Sequence, residues 1–528
     1  MTELLPMKAT FAPDEPVEIE VRDATEMTRV SLWRLDGRVA SVDVDPGDPV
    51  ARFAPQPEGG YGVEGGGART ALDVLADALS RARYGFVSDY AADRDVEGVV
   101  DNVRRLHLNA VQFYDWMYRH ASLLPPADDF VDSLGRELSL ATVRRLAEGL
   151  NGAGSLPLGY AAVYAAGRDE WPAWKDDGLY RASGEPWTLG DDFLWNVDPT
   201  SERWLAHFGA DLRAAQQSVG FRGFHLDQYG APKTALRADG STVDLAEAFP
   251  ALIDRLADEA PDARLIFNNV NDFPTWSTAR ARQAAVYIEV WAPHDRLAHI
   301  ADLATKARSL APEKSVILAT YLSVFANGSR TGALEAQRLL LATAFSHGAT
   351  ALLHGEEQSV LTEAYYVDHA ELDWNDLRST RRYYDFAVRY GDLLFDRASV
   401  DVTATRLGGV NEEIRVHAPV SVAVDARPGA LWVRALRLPH GLLISLIDLS
   451  RQEDDRWDAP KKTAQPLEDV RLAVERTSRN PARFLFADPD SHPAMLELDA
   501  EDDGRYDTVT LPAFSTWALV WLPDPGER

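Results

Sequence analysis

Two stretches of the sequence, Gly223-Phe-His-Leu-Asp227 and Val286-Tyr-Ile-Glu-Val290, share one pattern. Each is a mainly apolar run of strand length with an acidic residue at or beside its end. Continuous apolar runs of this length are typical of strands buried on both faces of a parallel sheet. The two stretches therefore predict parallel strands whose carboxyl ends carry Asp227 and Glu289.

Six further apolar runs between residues 71 and 395 bring the number of predicted strands to eight. Segments with apolar residues at helical spacing separate them, as at Val96, Val99 and Val103. Eight strand–helix units in about 320 residues predict an α/β fold, a (β/α)8 TIM barrel. A doubly wound open sheet is the alternative, but no glycine-rich phosphate loop follows the first run. The six runs begin at Tyr84, Asn109, Leu156, Leu265, Val316 and Ala349.

The two ends of the chain have the patterns of β domains. Within residues 1–70, Val17-Glu-Ile-Glu-Val21 and Val30-Ser-Leu-Trp-Arg34 alternate between apolar and polar positions. We expect an immunoglobulin-like β domain there, the barrel over 71–395, and an antiparallel β-sandwich over 396–528. The stretch 452–468 is polar, which predicts a mobile loop.

Composition limits the classes of function. The chain has 528 residues, no cysteine and a formal net charge of −28, which rules out disulfides and thiolate metal sites. The negative charge argues against nucleic acid or an anionic membrane as partner and is compatible with a neutral ligand. No basic stretch followed by an apolar run opens the sequence. We therefore expect a cytoplasmic protein, or a secreted one if this is a processed form.

Asp227 and Glu289 are the candidate catalytic pair. In a (β/α)8 barrel the active site lies at the carboxyl ends of the strands, and these residues end strands four and six. Their side chains could face each other across the mouth of the barrel. Retaining glycosidases use two carboxyl groups about 5–5.5 Å apart. The alternative for Asp227 is a plain helix N-cap, because an Asp after a strand often has that role.

Other polar and aromatic residues follow the predicted strands and form a candidate sugar-binding rim. Six aromatic residues could stack on sugar faces, although such residues serve as core packing about as often. Three of the predicted rim histidines, His120, His225 and His354, could instead hold a metal, but no HExxH or HxH spacing supports this and we expect no cofactor. The candidate substrate-binding residues are Asp115, Tyr114, Trp116, His120, Tyr164, His225, Tyr229, Asn269, Trp291, Tyr321, His354 and Glu356.

Several of these segments resemble glycoside hydrolase family 66, which contains dextranases and cycloisomaltooligosaccharide glucanotransferases. The most specific segment is Gln112-Phe-Tyr-Asp-Trp-Met-Tyr-Arg-His120, and the others are 84–89, 132–139, 223–230, 287–291 and 354–356. The resemblance implies an α-1,6-glucan substrate and a retaining mechanism without a cofactor. It makes Asp227 the nucleophile, Glu289 the acid/base and Asp115 a substrate-binding residue.

The sequence leaves several functions open. We expect a dextranase-like hydrolase acting on dextran or isomaltooligosaccharides, with a neutral oligo- or polysaccharide as its only predicted partner. The alternatives are a transglycosylase, a non-catalytic α-glucan-binding protein, and a retaining α-glycosidase of another specificity. Cyclising members of the family carry a carbohydrate-binding module inserted in the barrel. Only a helix-sized stretch separates the seventh and eighth runs here, which favours hydrolysis over cyclisation.

Overall fold

The computed structural model describes residues 2–408, 410–478 and 481–525. Its centre is a curled sheet whose first eight strands are parallel and adjacent in chain order. All eight strands predicted from the sequence are present. They are β1 Tyr84–Val87, β2 Ala110–Phe113, β3 Leu156–Ala162, β4 Gly223–Asp227, β5 Arg264–Val270, β6 Ala285–Glu289, β7 Ser315–Ala319 and β8 Ala349–Leu352.

The sheet curls until the chain after β8 meets β1. β8 pairs with β7, and the short strand His354–Gly355 that follows places Gly355 opposite Phe86 of β1. Two antiparallel strands, Ser359–Leu361 and His369–Glu371, extend this edge to eleven strands in all. The carboxyl ends of β1 to β8 therefore surround one central space.

Helices connect most of the parallel strands. The helix in the fourth connection begins after Asp244, whose side chain accepts from Ala246 N as an N-cap. In the described chain, the link from β5 to β6 contains only the single-turn helix Thr275–Thr278. The long helices are α1 Val96–Arg105, α2 Leu140–Gly152, α3 Glu202–Val219, α4 Leu245–Glu259, α5 Leu297–Leu310, α6 Arg330–Ser346 and α7 Trp374–Arg389.

Two apolar layers lie on opposite faces of the curled sheet. Because successive strand residues point to opposite faces, each strand contributes to both layers. Ile266 of β5 and Tyr287 of β6 belong to the inner cluster, while Phe267 and Ile288 belong to the outer one, which packs against the helices. This alternation decides which residues at the strand ends reach the central space.

The amino-terminal part forms two antiparallel sheets. One contains Glu3–Pro6, Val17–Arg22 and Val50–Phe53, and the other contains Gly37–Val44, Thr28–Arg34, Gly59–Gly65 and Ala68–Val74. The last strand continues to residue 74, so this sheet extends past the predicted boundary at residue 70.

The carboxyl-terminal part also forms two sheets. The larger contains Val400–Asp401, Ser421–Ala423, Ala430–Leu438, Gly441–Asp448, Trp517–Pro523, Phe484–Ala487 and Leu496–Leu498. The smaller contains Ile414–His417, Arg471–Glu475, Tyr506–Thr510 and Glu501–Asp502. The stretch 452–468, predicted to be a mobile loop, contains buried residues such as Trp457 and hydrogen-bonds to the segments that follow β6 and β7.

Short elements decorate the rest of the chain. Across residues 2–408, 410–478 and 481–525 we find no helix with the length and hydropathy of a membrane span. The short strands are Asp129–Val131, Glu137–Ser139, Ala165–Gly167, Leu179–Tyr180, Thr188–Leu189, Leu194–Asn196, Thr234–Arg237 and Thr242–Asp244. The other short helices are Ala78–Arg81, Trp171–Trp174, Lys175–Asp177, Val324–Asn327, Gly391–Leu394 and Thr403–Arg406.

Candidate active site

A central cavity of about 410 Å³ opens at the carboxyl ends of the parallel strands. Nine of the fourteen predicted site residues line it: Tyr114, Asp115, His120, His225, Asp227, Tyr229, Glu289, Trp291 and Tyr321. Both candidate catalytic carboxylates are among them. The curled sheet thus brings together residues that are up to 207 positions apart in the sequence, from Tyr114 to Tyr321.

One amide group joins the two carboxylates. Nδ2 of Asn268, near the end of β5, donates to Asp227 Oδ1 at 2.7 Å and to Glu289 Oε2 at 3.1 Å. Those two oxygens therefore lie at most about 5.8 Å apart, the sum of the two distances. Oδ1 of Asn268 is buried and has no hydrogen-bond partner among the described residues. Strand β5 lies between β4 and β6, and the amide of its Asn268 holds the carboxylates of Asp227 and Glu289 in place.

Each carboxylate also accepts a hydrogen bond from its own tyrosine. Tyr160 Oη donates to Asp227 Oδ2 at 2.7 Å, and Tyr321 Oη donates to Glu289 Oε1 at 2.7 Å. Burial raises the pKa of both tyrosines well above the ordinary range, and the nearby carboxylates raise it further. Both phenols therefore remain protonated donors that orient the carboxylates.

The cavity changes the acidity of Asp227. Burial raises its pKa to about 7, and the neighbouring charge of Glu289 acts in the same direction. Hydrogen bonds from Asn268 and Tyr160 oppose the rise, because they stabilise the ionised form. Asp227 therefore titrates close to neutral pH, as is typical of carboxyl groups in functional sites.

Asp115 also lines the cavity and lies two positions after β2. Its backbone is in the left-handed region, with φ at 47°, which is uncommon outside glycine. Burial raises the pKa of this carboxyl to about 7, while Arg136, 3.8 Å away, lowers it. A strained residue with a buried carboxyl facing a cavity is typical of a functional site.

Two cavity imidazoles are uncharged at neutral pH. Burial lowers the pKa of His225 to about 3 and that of His120 to about 4. Nδ1 of His225 is 3.3 Å from Tyr84 Oη, whereas Nδ1 of His120 is buried without a partner among the described residues. Neutral imidazoles can both donate and accept, which suits sugar hydroxyls. The described part of the chain has no group of three His, Asp or Glu residues placed to hold a metal ion.

Three predicted rim residues point out of the curled sheet and do not line the cavity. Trp116 is fully buried beside Gly159, and its Nε1 donates to the Tyr160 carbonyl at 3.1 Å. Tyr164 accepts at Oη from the Tyr229 amide at 2.9 Å and stacks on a phenylalanine of α4. Asn269 donates to the Tyr287 carbonyl at 2.7 Å. The alternation of β5 turns Asn269 toward the helices, whereas Trp116 and Tyr164 lie beyond the ends of their strands and pack into the outer apolar cluster.

His354 and Glu356, predicted to bind sugar after β8, are also outside the cavity. His354 is fully buried, faces Tyr384 of α7, and its Nδ1 is 3.2 Å from the Ser359 carbonyl. Glu356 is buried against β1, where it accepts from the Ser88 amide at 2.6 Å and pairs with Arg94. Glu356 thus fastens the β8 loop to the β1 loop, whereas His354 packs against α7.

The cavity also contains residues that the sequence analysis missed. Asn268 and Tyr160 each lie two positions after an inner-cluster residue, Ile266 and Leu158, so the two-residue period of the strands could have identified them. The apolar residues near residue 190 carried no such signal, because they lie in an excursion after β3. The missed lining residues are Gln112, Leu134, Tyr160, Leu189, Phe193, Leu194, Gln228, Asn268, Val270, Tyr287, Ala364, Tyr365 and Tyr366.

The sequence matches the profile of a known protein family. The profile of glycosyl hydrolase family 66 matches residues 63–521, which is most of the chain. The chain belongs to glycosyl hydrolase family 66. The resemblance noted in the sequence is therefore confirmed.

The relatives of this family 66 chain are glucanotransferases. A cycloisomaltooligosaccharide glucanotransferase of Niallia circulans is 26% identical over 318 residues, covering 54% of this chain and 32% of the relative. A second one from the same organism is 19% identical over 620 aligned positions, covering 86% of this chain and 63% of the relative. The chain thus spans less than two thirds of the length of either relative.

A solved structure shares the fold. The cycloisomaltooligosaccharide glucanotransferase of a Paenibacillus species, crystallised with cycloisomaltoheptaose, superimposes with a TM-score of 0.88 at 18% identity. The match covers 99% of this chain and all of that one. At this identity the likeness establishes the fold of this family 66 member.

Proposed function

We propose that this protein is a retaining enzyme that acts on α-1,6-linked glucan through a covalent glucosyl-enzyme on Asp227. One observation carries the proposal: a single amide, Asn268 Nδ2, donates to both Asp227 and Glu289. A pair held this close suits the spacing of about 5–5.5 Å that retaining glycosidases use, and leaves too little room for the extra water of an inverting enzyme. The family assignment supports the choice of substrate.

In the first step, an Asp227 oxygen forms a bond to the anomeric carbon as the glycosidic C–O bond breaks. Glu289 gives its proton to the departing oxygen, so the leaving chain departs as an alcohol and Glu289 becomes ionised. The phenols of Tyr160 and Tyr321 hold the two carboxylates in this orientation. Asp115 and His120 also line the cavity, where they can hydrogen-bond the hydroxyls of the bound sugar.

In the second step, Glu289 takes a proton from an incoming hydroxyl, whose oxygen displaces Asp227 from the anomeric carbon. A sugar hydroxyl gives transfer or cyclisation, and water gives hydrolysis. The relatives are glucanotransferases, and this favours transfer as the main outcome. Hydrolysis is the second candidate, because the chain between β7 and β8 has room only for α6 and a short helix, Val324–Asn327.

The surroundings of the carboxylates suit a neutral carbohydrate. Aromatic rings such as Trp291 and Tyr114 line the cavity and offer faces on which sugar rings can stack. The formal charge of −28 does not oppose a neutral polymer. We extend the proposal to the layout, with a catalytic barrel over about 71–395 between β-sandwich domains at 1–70 and 396–528.

The test is the product pattern from isomaltooligosaccharides and dextran, separated by chromatography and followed by NMR from the first turnover. A transferase gives longer or cyclic α-1,6 products at high substrate concentration, whereas a hydrolase gives only shorter ones. In both cases the first product must have the α configuration. A first-formed β anomer, or no reaction on any α-1,6-glucan, would contradict the proposal.

A further inference from the structure

A loop of the carboxyl-terminal part, residues 452–462, reaches the rim of the catalytic cavity. It first contacts the segment that follows β6. Trp457 Nε1 donates to the His294 carbonyl at 2.7 Å, and Leu297 N, at the start of α5, donates to the Asp455 carbonyl at 2.8 Å. Asp455 also pairs with Arg296 at 2.6 Å. The segment after β6 is thus tied down at three successive points.

The same loop contacts the segment that follows β7. Ser323 Oγ donates to Asp458 Oδ2 at 2.6 Å, and Val324 N donates to Asp458 Oδ1 at 3.2 Å. Lys461 N donates to the Gly332 carbonyl at 3.1 Å. One loop therefore links the rim segments of two neighbouring strands.

The loop 452–462 is closed and buried rather than draped on the surface. Gln452 and Lys462 exchange two hydrogen bonds, of 2.8 and 3.0 Å, that close its base. Lys461 Nζ, almost fully buried, pairs with Asp454 at 2.6 Å. Trp457 is only 6% exposed. A loop with satisfied buried polar groups has a defined shape that it can impose on its neighbours.

The two rim segments carry residues on one side of the catalytic pair. Trp291 follows β6 by two positions, is 39% exposed and lines the cavity. Its ring lies 5.3 Å from that of Tyr321, which donates to Glu289. Because Glu289 must touch the oxygen of the leaving or incoming sugar, Trp291 borders the space for that sugar.

We infer that the loop 452–462 is a positioning element for the sugar on the leaving and acceptor side of the bond. The inference rests on the proposed function and deepens it. By holding the segments after β6 and β7, the loop keeps Trp291 and Tyr321 at fixed positions relative to Glu289. A small displacement of Trp291 and Tyr321 weakens productive binding of the acceptor sugar. The attack by Asp227 on the anomeric carbon does not depend on these two residues and is unaffected.

The test uses two substrates that differ only in what leaves. Isomaltotriose needs a sugar bound on the leaving side, whereas α-glucosyl fluoride releases fluoride and needs none. Trp457→Phe removes the donor to the His294 carbonyl, and Ser323→Ala removes the donor to Asp458. For each variant we expect kcat/KM for isomaltotriose to fall about tenfold, while kcat/KM for α-glucosyl fluoride stays within about twofold of wild type.

Tyr390→Phe is the matched control. Tyr390, which follows α7, donates from Oη to the Pro493 carbonyl at 2.9 Å and so joins the same two parts of the chain away from the cavity. Tyr390→Phe should lower the melting temperature and change kcat/KM for the two substrates by the same factor. The inference would be overturned if Trp457→Phe changed kcat/KM equally for both substrates. It would also be overturned if Tyr390→Phe lowered kcat/KM for isomaltotriose alone. A wild type inactive on both substrates would overturn the proposed function itself, and the inference with it.

Discussion

Neighbouring residues at the ends of the parallel strands have opposite surroundings. At β5, Asn268 faces inward and bridges the two carboxylates, whereas Asn269 faces outward and donates to a backbone carbonyl under the helices. At β3, Tyr160 faces inward and holds Asp227, whereas Tyr164, beyond the strand end, packs against α4. Residue type is the same in each pair, and the surroundings differ because Asn269 is on the other face of β5 and Tyr164 lies beyond the end of β3.

In both pairs, one side chain enters the candidate active site and the other packs outside it. An inward residue is surrounded by cavity and by other titratable groups, so its loss changes chemistry. An outward residue has its polar atoms satisfied by backbone, so its loss leaves a buried group unpaired and changes stability. Substitutions of inward residues should therefore lower activity, and substitutions of outward residues should lower stability.

The largest loss of activity is expected on substituting the two inward carboxylates, Asp227 and Glu289. Asp227→Asn removes the proposed nucleophile and Glu289→Gln removes the proposed acid/base, so each should lower activity on isomaltooligosaccharides at least about 10³-fold. The melting temperature should not fall. At pH 8, Asp227→Asn should be at least as stable as wild type, because the raised pKa of Asp227 means that its charge destabilises the folded state at that pH.

Initial rates and thermal melts at pH 8 measure both quantities. The amide NH2 group introduced by Asp227→Asn can turn toward Tyr160 Oη, which can accept, so the variant keeps its hydrogen bonds. Residual activity above a few per cent in either variant would show that the roles are misassigned. A melting temperature several degrees below wild type would show that the carboxylates are structural.

The two neighbouring asparagines provide the next comparison. Asn268→Ala removes the donor shared by both carboxylates, and the expected loss in kcat is about 10²-fold with little loss of stability. Asn269→Ala removes the donor to the Tyr287 carbonyl and leaves Thr278 Oγ1 only its 3.3 Å hydrogen bond to the Pro274 carbonyl, so it should cost about 1–3 kcal/mol in the free energy of unfolding. Its kcat should remain near wild type.

Denaturant titrations and kcat measurements on both variants show whether Asn268→Ala loses turnover and Asn269→Ala loses stability. Asn268→Asp is a useful third variant, since it keeps the size but adds a third carboxyl group and should be at least as impaired. If Asn269→Ala is the variant that loses turnover, the orientation assigned to β5 is wrong.

The sequence predicted the strands and the carboxylates well because both depend on local pattern. Apolar runs of strand length identify buried strands, and acidic residues at their ends, as at Asp227 and Glu289, are unusual enough to notice. The face of each strand-end residue was harder, because Asn268 and Asn269 are the same residue type and only the register separates them. The stretch 452–468, which includes the loop 452–462, was predicted to be mobile, since its polar residues gave no sign that Asp455 and Asp458 would meet partners some 130–160 positions away.

The smallest effect is a shift in the pH dependence of kcat/KM, expected for Tyr160→Phe. Asp227 must be ionised to attack, so kcat/KM should fall as the pH drops through about 7, the pKa to which burial raises this carboxyl. The Tyr160 hydroxyl stabilises the ionised form. Tyr160→Phe should therefore raise that pKa further and move the acidic limb of the kcat/KM profile to higher pH.

Tyr164→Phe provides the outward comparison, because its hydroxyl serves the Tyr229 amide and not a carboxylate. The pH profile of kcat/KM should keep its wild-type limb in this variant, while the melting temperature falls. The profile of α-glucosyl fluoride is the sharper measurement, since fluoride leaves without a proton from Glu289 and the acidic limb then reports Asp227. An acidic limb that stays in place in Tyr160→Phe would mean that the Tyr160 hydrogen bond positions Asp227 without setting its charge.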